Sequence, residues 1–495
     1  MISNVLIKSL AHKVASVGLD VANIQTRIDK SEEYYLMSIN RYSVLAVSVS
    51  LCLATTALQA GGFGVTVQSA SGGGSSATNH AMAEDASAMW YNPALLSSVE
   101  GTQVNGGLSL LSSDLQIENT GSALPSAGGG TPVFGENSAE PGGVSVTPSL
   151  YYKRDINDHM AFGLGVTIPF GVSSEYERDS FARYEATEST LTTVNFNPAL
   201  SWRLSDRLDI GAGLNIQYGT ATLSRSIDGF LACRSIAANS ALTTDTCDAI
   251  GLDTPSNEAT DSHIETQADG VGYGANIGLA YHPTKSTTFS VGYRSSVKYD
   301  LEGEAEFDHG NLALLGDPTL NAVGLGKQDI TADLELPASL SLAVASQVSN
   351  KLTLHGDVTW TEWSTVPEIR IVFPDTVTSD SVTDLQWEDT VRVGVGATYQ
   401  FSPKTKLRAG IAYDPTPTPS AEHRTPRAPR SDTMWYSAGL SHQVNKKLTV
   451  DASLSLIQPD DTTVNYTSPG STDYLTRADV ETDALGAALS VNYKF

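Results

Sequence analysis

The C-terminal stretch Leu485–Phe495, with the sequence LGAALSVNYKF, has a strict two-residue period. Its larger apolar side chains occupy alternate positions, at Leu485, Ala487, Leu489, Val491, Tyr493 and Phe495. The intervening residues are small or polar: Gly486, Ala488, Ser490, Asn492 and Lys494. A β-strand places successive side chains on opposite faces, whereas a helix repeats about every 3.6 residues. The stretch therefore predicts a strand with one apolar face and one small or polar face.

The same alternation recurs along much of the chain, for example at residues 208–218, 391–400 and 448–456. Counting these segments predicts about 14 strands, an even number as bacterial barrels require. The predicted strands start near Val104, Val146, Met160, Leu191, Leu208, Val271, Thr287, Leu334, Lys351, Leu385, Lys406, Met434, Leu448 and Thr482. Short polar links predict turns at one end, at 155–158, 205–206, 283–285, 349–350 and 402–403. Longer polar connections predict outer loops, the longest of them at 226–267.

Long strands with one apolar face fit either a soluble sandwich or a membrane barrel. About a dozen long strands with aromatic ends would be unusual for a sandwich. In lipid every backbone polar group must be paired internally, so that only a closed barrel can expose apolar strand faces. We therefore predict an all-β fold, a transmembrane antiparallel β-barrel in the outer membrane of a Gram-negative bacterium. Phe495 also resembles the C-terminal aromatic residue that such proteins present to the barrel assembly machinery.

The composition fits an envelope protein. The 495 residues include 42 Gly and 19 Tyr, and only 17% are charged. The net charge of −25 argues against a nucleic-acid partner, because phosphate binding needs clustered Lys and Arg. Soluble acidic loops account for most of this charge. An alternative hypothesis is that divalent cations bridge loop carboxylates to anionic headgroups of outer-membrane lipid and lipopolysaccharide.

An export signal is predicted at residues 37–60. Met37 and Arg41 precede the apolar run Val44–Leu53, and Ala57 and Ala60 provide small residues for cleavage after Ala60. The apolar run is too short for a membrane anchor. Residues 1–36 lie upstream of this otherwise ordinary signal, so we expect translation to start at Met37; an amphipathic helix is the alternative.

Two cysteines are expected in the mature chain. Cys233 and Cys247 lie in a polar stretch, and the periplasm and cell surface permit disulfides. We predict a bridge between them, worth about 3 kcal/mol in the chain-entropy model. Two separate thiols are the alternative.

The segment before the first strand, residues 61–100, does not alternate. It is rich in Gly, Ser and Ala and too long for a simple tail. We predict that it forms a compact hatch in the barrel, and that residues 101–495 form the barrel with long extracellular loops.

Several motifs resemble the FadL family of outer-membrane transporters for long-chain fatty acids and other hydrophobic compounds. They include Gly62-Phe63, Ala83–Ser87 and Tyr91–Leu95 in the hatch, then Pro169–Gly171, Arg183-Tyr184, Leu336–Ser339 and Asp357–Ser364. The resemblance runs from Gly61 to Phe495 in matching order and spacing. The N-terminal extension and the cysteine-bearing insert depart from it, and the insert puts the ligand identity in doubt.

The resemblance implies passive uptake by a hatch-gated barrel with lateral exit through a kinked third strand. Its hatch and gating residues would be Gly62, Phe63, Glu84, Asp85, Asn92, Pro93 and Ala94, and its kink Pro169, Phe170 and Gly171. Pro169 ends an alternating strand and cannot donate to its ladder, which supports the kink. An ordinary strand end at Pro169 and a simple turn at Asn92–Ala94 are the alternatives.

Substrate contacts are predicted at Phe181, Arg183, Tyr184 and Arg392. An arginine beside apolar surface could hold a carboxylate headgroup, although the inward residues Arg392 and Arg408 could equally pair with carboxylates across the lumen. The cargo is expected to be a long-chain fatty acid, with an aromatic hydrocarbon as the alternative.

No enzyme motif is evident. There is no Gly-x-Ser-x-Gly elbow, no His-Glu-x-x-His zinc site and no Cys-x-x-Cys pair, and the histidines are scattered. We therefore expect no catalytic activity, no metal and no cofactor. A barrel adhesin or an outer-membrane lipid enzyme is the alternative from another class, and we expect a monomer.

Overall fold

The computed structural model describes residues 61–125, 129–240, 242–374, 378–469 and 474–495. The predicted signal peptide and upstream extension lie outside these residues. The strands are β1 (Gln103–Asn119), β2 (Ser138–Ala139), β3 (Val144–Asp155), β4 (Met160–Thr167), β5 (Gly171–Glu175), β6 (Glu188–Ser205), β7 (Leu208–Ile227), β8 (Ser262–Thr284), β9 (Thr287–Arg294), β10 (Val297–Asp308), β11 (Gln328–Leu336), β12 (Ser339–Gln347), β13 (Leu352–Thr361), β14 (Glu368–Ile371), β15 (Ser381–Asp384), β16 (Thr390–Ser402), β17 (Thr405–Asp414), β18 (Thr433–Gln443), β19 (Leu448–Pro459), β20 (Thr462–Thr467) and β21 (Leu475–Lys494).

The helical elements are short. The α-helices are α1 (Ala70–Gly73), α2 (Ala88–Tyr91), α3 (Gly229–Ala238), α4 (Thr244–Ala249) and α5 (Asp317–Ala322), and 3-10 turns occupy Pro93–Ser98, Gly310–Leu315 and Trp363–Thr365. No helix in the described parts of the chain is long and apolar enough to cross a membrane.

The strands close into an antiparallel barrel of 14 spans, which confirms the predicted fold. Closure comes from β1 and β21, which pair from Gln103 opposite Lys494 to Asn119 opposite Ala478. Four spans are each interrupted once, so that each consists of two consecutive strands: β4/β5, β9/β10, β11/β12 and β19/β20. The predicted short turns lie at the end of the barrel where the chain enters β1, and the long loops lie at the other end.

Most predicted strand starts agree with the structure to within three residues. Three strands begin earlier, at Ser262, Gln328 and Leu475, because their first halves carry polar residues on the outer face and so do not continue the outward apolar alternation that revealed these strands. As a result the insert predicted at 226–267 is shorter, from 228 to 261. The predicted strand start at Leu385 is wrong by five residues, since β16 begins at Thr390.

The apolar strand faces point outward, as a lipid environment requires. On β7, Leu214 is 60% exposed, whereas the alternate residues Asp209, Asn215 and Gln217 are buried in the interior. A polar interior therefore coexists with an apolar exterior, the reverse of a soluble core. Within the loop half of the barrel, the hairpin β14–β15 folds inward and joins β11 through two backbone hydrogen bonds between Val372 and Thr331 (2.8 and 3.1 Å).

Candidate functional site: the hatch, the strand interruption and an apolar cavity

The predicted hatch segment, residues 61–100, runs through the barrel interior. Hydrogen bonds link it to well-separated parts of the wall, at Tyr151 of β3 (2.9 Å, donated by the Tyr151 hydroxyl), Ser290 of β9 (2.7 Å) and Ser437 of β18 (2.9 Å). Contacts on opposite sides of a closed sheet require the segment to cross the lumen.

Asn92 fastens the hatch to β8 and β9. Its side-chain amide donates to Ser290 Oγ and to the backbone oxygens of Leu279 (3.2 Å) and Val291 (3.0 Å). Its Oδ1 accepts the N–H of Ala94 at 2.8 Å and caps the following 3-10 turn. A fully buried amide with this many partners fixes both the turn and its place on the wall.

Glu84 fastens the hatch to β17. Its carboxylate accepts hydrogen bonds from Lys406 Nζ (2.9 Å) and from Arg408 Nη2 (2.6 Å) and Nε (3.1 Å), while Arg408 Nη1 also reaches Asp451 of β19 at 3.2 Å. Burial acts to raise the pKa of Glu84, but the charges of Arg408 and Lys406 outweigh it and hold that pKa well below its usual range. The pKa of the neighbouring Asp85 is raised by burial.

Arg392 joins the hatch to two wall carboxylates. It lies 3.6 Å from Asp357 and 3.7 Å from Asp414, and it donates a hydrogen bond to the backbone oxygen of Ser76. Asp357 also lies 2.7 Å from the His80 ring of the hatch. Arg392 and Arg408 thus both pair with carboxylates in the lumen.

The strand predicted to kink is interrupted at Ile168–Phe170. β4 pairs with β6 up to Thr167 opposite Asn195, and β5 resumes with Gly171 opposite Thr192, so three residues of this span face two of β6. An extra residue of this kind bends a strand and disturbs its ladder. The β3–β4 ladder stops at Leu150 opposite Val166, and within the described chain no ladder joins β3 to β5.

The start of the hatch lies along this interruption. Gly171 N–H donates to Phe63 O at 2.8 Å, and Val65 N–H donates to Pro169 O at 2.8 Å. Gly62 has a φ of +63°, and a Cβ there would come within 2.7 Å of the Trp363 ring, so glycine is required for both its conformation and its close contact. Residues 63–65 are therefore hydrogen-bonded along the interrupted part of this span.

Aromatic side chains surround Phe63. Its ring lies 4.7 Å from the Trp387 ring and 6.3 Å from the Trp363 ring, and Trp363 also contacts Phe170 edge-on at 6.3 Å, all measured between ring centroids. Two cavities meet at this cluster, one with Phe63 in its wall and the other with Phe170 and Trp363.

The cavity nearer the outer loops, here called the upper cavity, contains about 820 Å³ of empty space, counting the part that is open to solvent. Its apolar walls come from the barrel, the β14–β15 hairpin and the loop before β18, and include Phe63, Val172, Leu191, Ala221, Leu223, Ala268, Leu301, Ile330, Leu334, Ile369, Ile371, Leu385 and Ala428. Arg427 is a polar contributor at its edge. The second, lower cavity of about 1030 Å³ extends to Pro169, Arg294 and Arg392. The upper cavity matches the apolar character of small-molecule sites.

Phe181, Arg183 and Tyr184 lie elsewhere. Arg183 is fully buried, with its Nε 3.0 Å from Asp261 Oδ2, and Tyr184 donates to the same carboxylate oxygen at 2.8 Å. Phe181 packs in a separate loop core, with neighbours such as Tyr176. Arg183 and Tyr184 join the β5–β6 loop to the insert, and none of the three residues lines either cavity. Arg392 lines the lower cavity.

The cysteine-bearing insert forms two helices. Cys233 of α3 and Cys247 of α4 are bonded, with Cα atoms 5.9 Å apart. Both pack with Leu312 and Leu320 of the β10–β11 loop, so the insert shares a small core with its neighbour. Among the described residues no group of three or more His, Cys, Asp or Glu side chains is placed to hold a metal ion. Cation bridging by the outer loops stays a prediction.

Sequence analysis missed the glycines that let the hatch touch the wall. A Cβ on Gly211 would lie 2.4 Å from the backbone of Pro93 and Ala94, and one on Gly410 would lie 2.3 Å from Ser75. Both glycines occupy inward positions, where the two-residue period was visible, but the period alone says nothing about close backbone contact. Trp387 and Arg427 were also missed, and Trp363 was included only as part of the motif Asp357–Ser364, because loop sequence does not show which side chains fold inward.

A membrane barrel with a segment folded into its lumen and an apolar internal cavity defines a class of plugged outer-membrane channels. The particular family follows from sequence comparison: the model described as "Outer membrane protein transport protein (OMPP1/FadL/TodX)" matches residues 51–495. The chain belongs to this family.

Individual relatives agree. An outer membrane protein of Neisseria meningitidis serogroup B is 30% identical over 418 residues, covering 83% of this chain and 88% of that protein. The long-chain fatty acid transport protein of Escherichia coli K12 is 26% identical over 428 residues, covering 85% and 93%. The crystal structure of a Pseudomonas aeruginosa FadL homologue has a TM-score of 0.75 at 23% identity, covering 88% of this chain and 100% of that one.

The fold also resembles a solved Ralstonia pickettii toluene transporter, with a TM-score of 0.61 at 20% identity over 88% and 98% of the two chains. Membership of the family makes the protein an outer-membrane transporter of hydrophobic compounds. The family consists of transport proteins, which confirms the prediction that the chain is not an enzyme.

Proposed function

We propose that the protein takes up long-chain fatty acids or similar hydrophobic molecules by passive diffusion, gated by the hatch and completed by lateral exit at the β4/β5 interruption. The main support for this proposal is that the apolar upper cavity and the β4/β5 interruption both adjoin the aromatic cluster around Phe63. The substrate enters the upper cavity from the outer loops, passes Phe63 into the lower cavity and leaves beside Pro169.

The energetics suit capture of dilute lipid. Burying an alkyl chain of about twelve methylenes at roughly 0.8 kcal/mol each gives about 10 kcal/mol before the costs of association. Release needs no fuel, because the bilayer accepts the same chain at a similar free energy once the hatch weakens the cavity.

Hatch movement is tested by tethering the hatch to the wall. Ser76 Oγ and Ser437 Oγ are 2.9 Å apart, so the double variant Ser76→Cys/Ser437→Cys joins the hatch to β18 on oxidation. The matched control Ser437→Cys/Ser455→Cys joins β18 to β19 across the same 2.9 Å separation. Uptake of radiolabelled oleate by a transporter-deficient bacterial strain should fall only with the hatch tether and return on reduction. Equal uptake through the tethered protein would rule out hatch gating.

Lateral exit is tested by straightening the interrupted span. Deleting Pro169 removes the one extra residue opposite β6, whereas Pro169→Ala keeps the residue count. We expect the deletion to abolish oleate uptake and the substitution to retain most of it, with both proteins present in the outer membrane. Normal uptake by the deletion variant would exclude this exit.

Aromatic hydrocarbons are the second candidate cargo, favoured by the cluster of Phe63, Phe170, Trp363 and Trp387 between the two cavities. If wild-type protein in the outer membrane imports toluene but not oleate, the fatty-acid assignment fails and this alternative stands. We also propose contact with lipopolysaccharide at the outer rim, assembly through the exposed Phe495, and a monomeric state.

A further inference from the structure

A separate pair of cavities lies inside the barrel at its closing seam. One is bounded by β1, β19, β21 and residues 429–433, and the other shares wall residues with it and reaches Val67 of the hatch. Both include Leu111 and Ile457 in their walls, and together they form what we call the seam cavity. Its remaining walls are largely apolar or hydroxyl-bearing, and include Leu115, Ala484, Ala488, Trp435, Ser113, Thr433 and Thr482.

Arg430 is the one charged residue in the walls of the seam cavity as described here. Its Nε and Nη2 atoms are buried and have no hydrogen-bond partner within the described chain. Burial lowers the pKa of Arg430 only to about 10, so the guanidinium is a cation at neutral pH. The residue as a whole is half-buried, but two buried guanidinium nitrogens without a partner are costly and call for an anionic acceptor.

Other buried arginines differ in this respect. Arg183, Arg392, Arg408 and Arg427 each have a carboxylate within 4 Å, at 3.0, 3.6, 2.6 and 3.5 Å respectively. Arg430 forms no ion pair of this kind with any described residue. Arg424 and Arg294 have no carboxylate within 4 Å either, but their guanidiniums donate to oxygen acceptors, at Arg430 O (2.8 Å) and Thr463 O (2.9 Å) for Arg424 and at Asn215 Oδ1 (2.6 Å) for Arg294. Arg430 differs in that two of its guanidinium nitrogens are buried without any partner among the described residues.

A second donor in the seam cavity also lacks a partner. Trp435 is 2% exposed, and its Nε1 atom is buried without an acceptor among the residues that the structure describes. The indole lies in the wall shared with Leu111 and Ile457. The cavity thus has a cationic end at Arg430 and an apolar continuation that passes Trp435 toward the hatch.

We propose that the seam cavity binds a single-chain anionic amphipath, with its carboxylate on Arg430 and its alkyl chain against Leu111, Ile457 and Trp435. A guanidinium matches a carboxylate in geometry and charge, which an alcohol or an ester cannot reproduce. This inference rests on the proposed function in that the ligand belongs to the same class as the cargo, but the site is separate from the upper cavity.

The test uses 9,10-dibromostearate, whose bromines quench nearby tryptophans, with the full mature protein in phosphatidylcholine nanodiscs. Trp435→Phe should remove a quenching component that titrates with the probe. Arg430→Met should weaken that component by about 10- to 100-fold, the range for a charge-assisted hydrogen-bonded pair. Arg154→Met, which removes an exposed arginine at the end of β3, is the matched control and should leave the affinity unchanged.

Selectivity provides the second arm. Dibromostearyl alcohol should bind wild type and Arg430→Met equally, and acetate should compete only weakly. Ala484→Leu fills the cavity without changing its charge and should reduce binding of both brominated probes. This variant replaces Arg430→Met in the test if Arg430→Met fails to fold. Gel mobility before and after heating reports barrel folding in every variant.

The proposal is overturned if Arg430→Met and Arg154→Met bind dibromostearate alike, if quenching is unchanged in Trp435→Phe, or if acetate competes as well as the fatty acid. Failure of the proposed transport function gives a different result. If the wild-type protein imports no oleate in cells but its quenching still depends on Arg430, the transport proposal is rejected and the seam site is retained.

Discussion

The ion pairs of Glu84 make the strongest prediction about the hatch. Glu84→Gln keeps the shape of the side chain but removes its charge opposite Lys406 and Arg408, which lie 2.9 and 2.6 Å away. Breaking a buried ion pair costs roughly 3–5 kcal/mol. The lower end applies here, because Arg408 keeps Asp451 and Lys406 is 38% exposed. About 3 kcal/mol corresponds to a rise on the order of 100-fold in the undocked hatch population.

Hydrogen exchange measured by mass spectrometry reads this population directly. Peptides covering residues 79–87 should exchange faster in Glu84→Gln, whereas wall peptides of β7 and β8 should not change, because the barrel ladder is independent of the hatch. Glu100→Gln is the matched control: Glu100 is 87% exposed and pairs with Lys494 at 2.9 Å, and such surface pairs contribute about 0–1 kcal/mol. Equal exchange in the two variants would refute the anchoring role.

The same anchor has a defined pH dependence. The pKa of Glu84 is lowered in the folded protein from an ordinary value of 4.5, so its stabilisation is present above that value and is lost as the pH falls through the folded pKa. The difference between wild type and Glu84→Gln in the hydrogen exchange of residues 79–87, corrected for the intrinsic effect of pH, should therefore be the same at pH 6 and pH 8. A difference that disappears at pH 6 would contradict this pairing.

Three further predictions concern close contacts and the insert. Gly211→Ala should displace the hatch, because its Cβ would lie 2.4 Å from the Pro93–Ala94 backbone. Faster hydrogen exchange of residues 92–98 would show this displacement. The control Gly106→Ala should leave the exchange unchanged, because the nearest atom to its Cβ would be 3.8 Å away. Asn92→Ala should also speed that exchange, by about 10-fold for each net 1.4 kcal/mol lost, while thermal unfolding of the barrel stays unchanged. Reducing Cys233–Cys247 should destabilise the insert by about 3 kcal/mol and raise exchange in 228–261, with oleate uptake reporting whether the insert matters for cargo.

The sequence by itself determined the barrel. Alternation such as that in Leu485–Phe495 sets which side chains face lipid, and a strand offers only two faces, so the number of spans and the short turns follow from local pattern. The family motifs also pointed to the hatch and to Pro169. Three strands extended further than expected because their outer halves reverse the alternation. On β11, for example, the outward residues Asp329 and Asp333 are polar, whereas Ile330 faces the interior, so the apolar outer face that revealed the other strands is missing there.

Only the tertiary structure decided what lies inside. Arg183, which was predicted to contact substrate, forms an ion pair with Asp261 of the insert. Arg430 has no such partner and lines the seam cavity. Both are arginines in loop sequence, and nothing local separates them. Ion pairing depends on residues far apart in the chain that meet only when the barrel closes, so the charge balance of the interior is a property of the fold rather than of any segment.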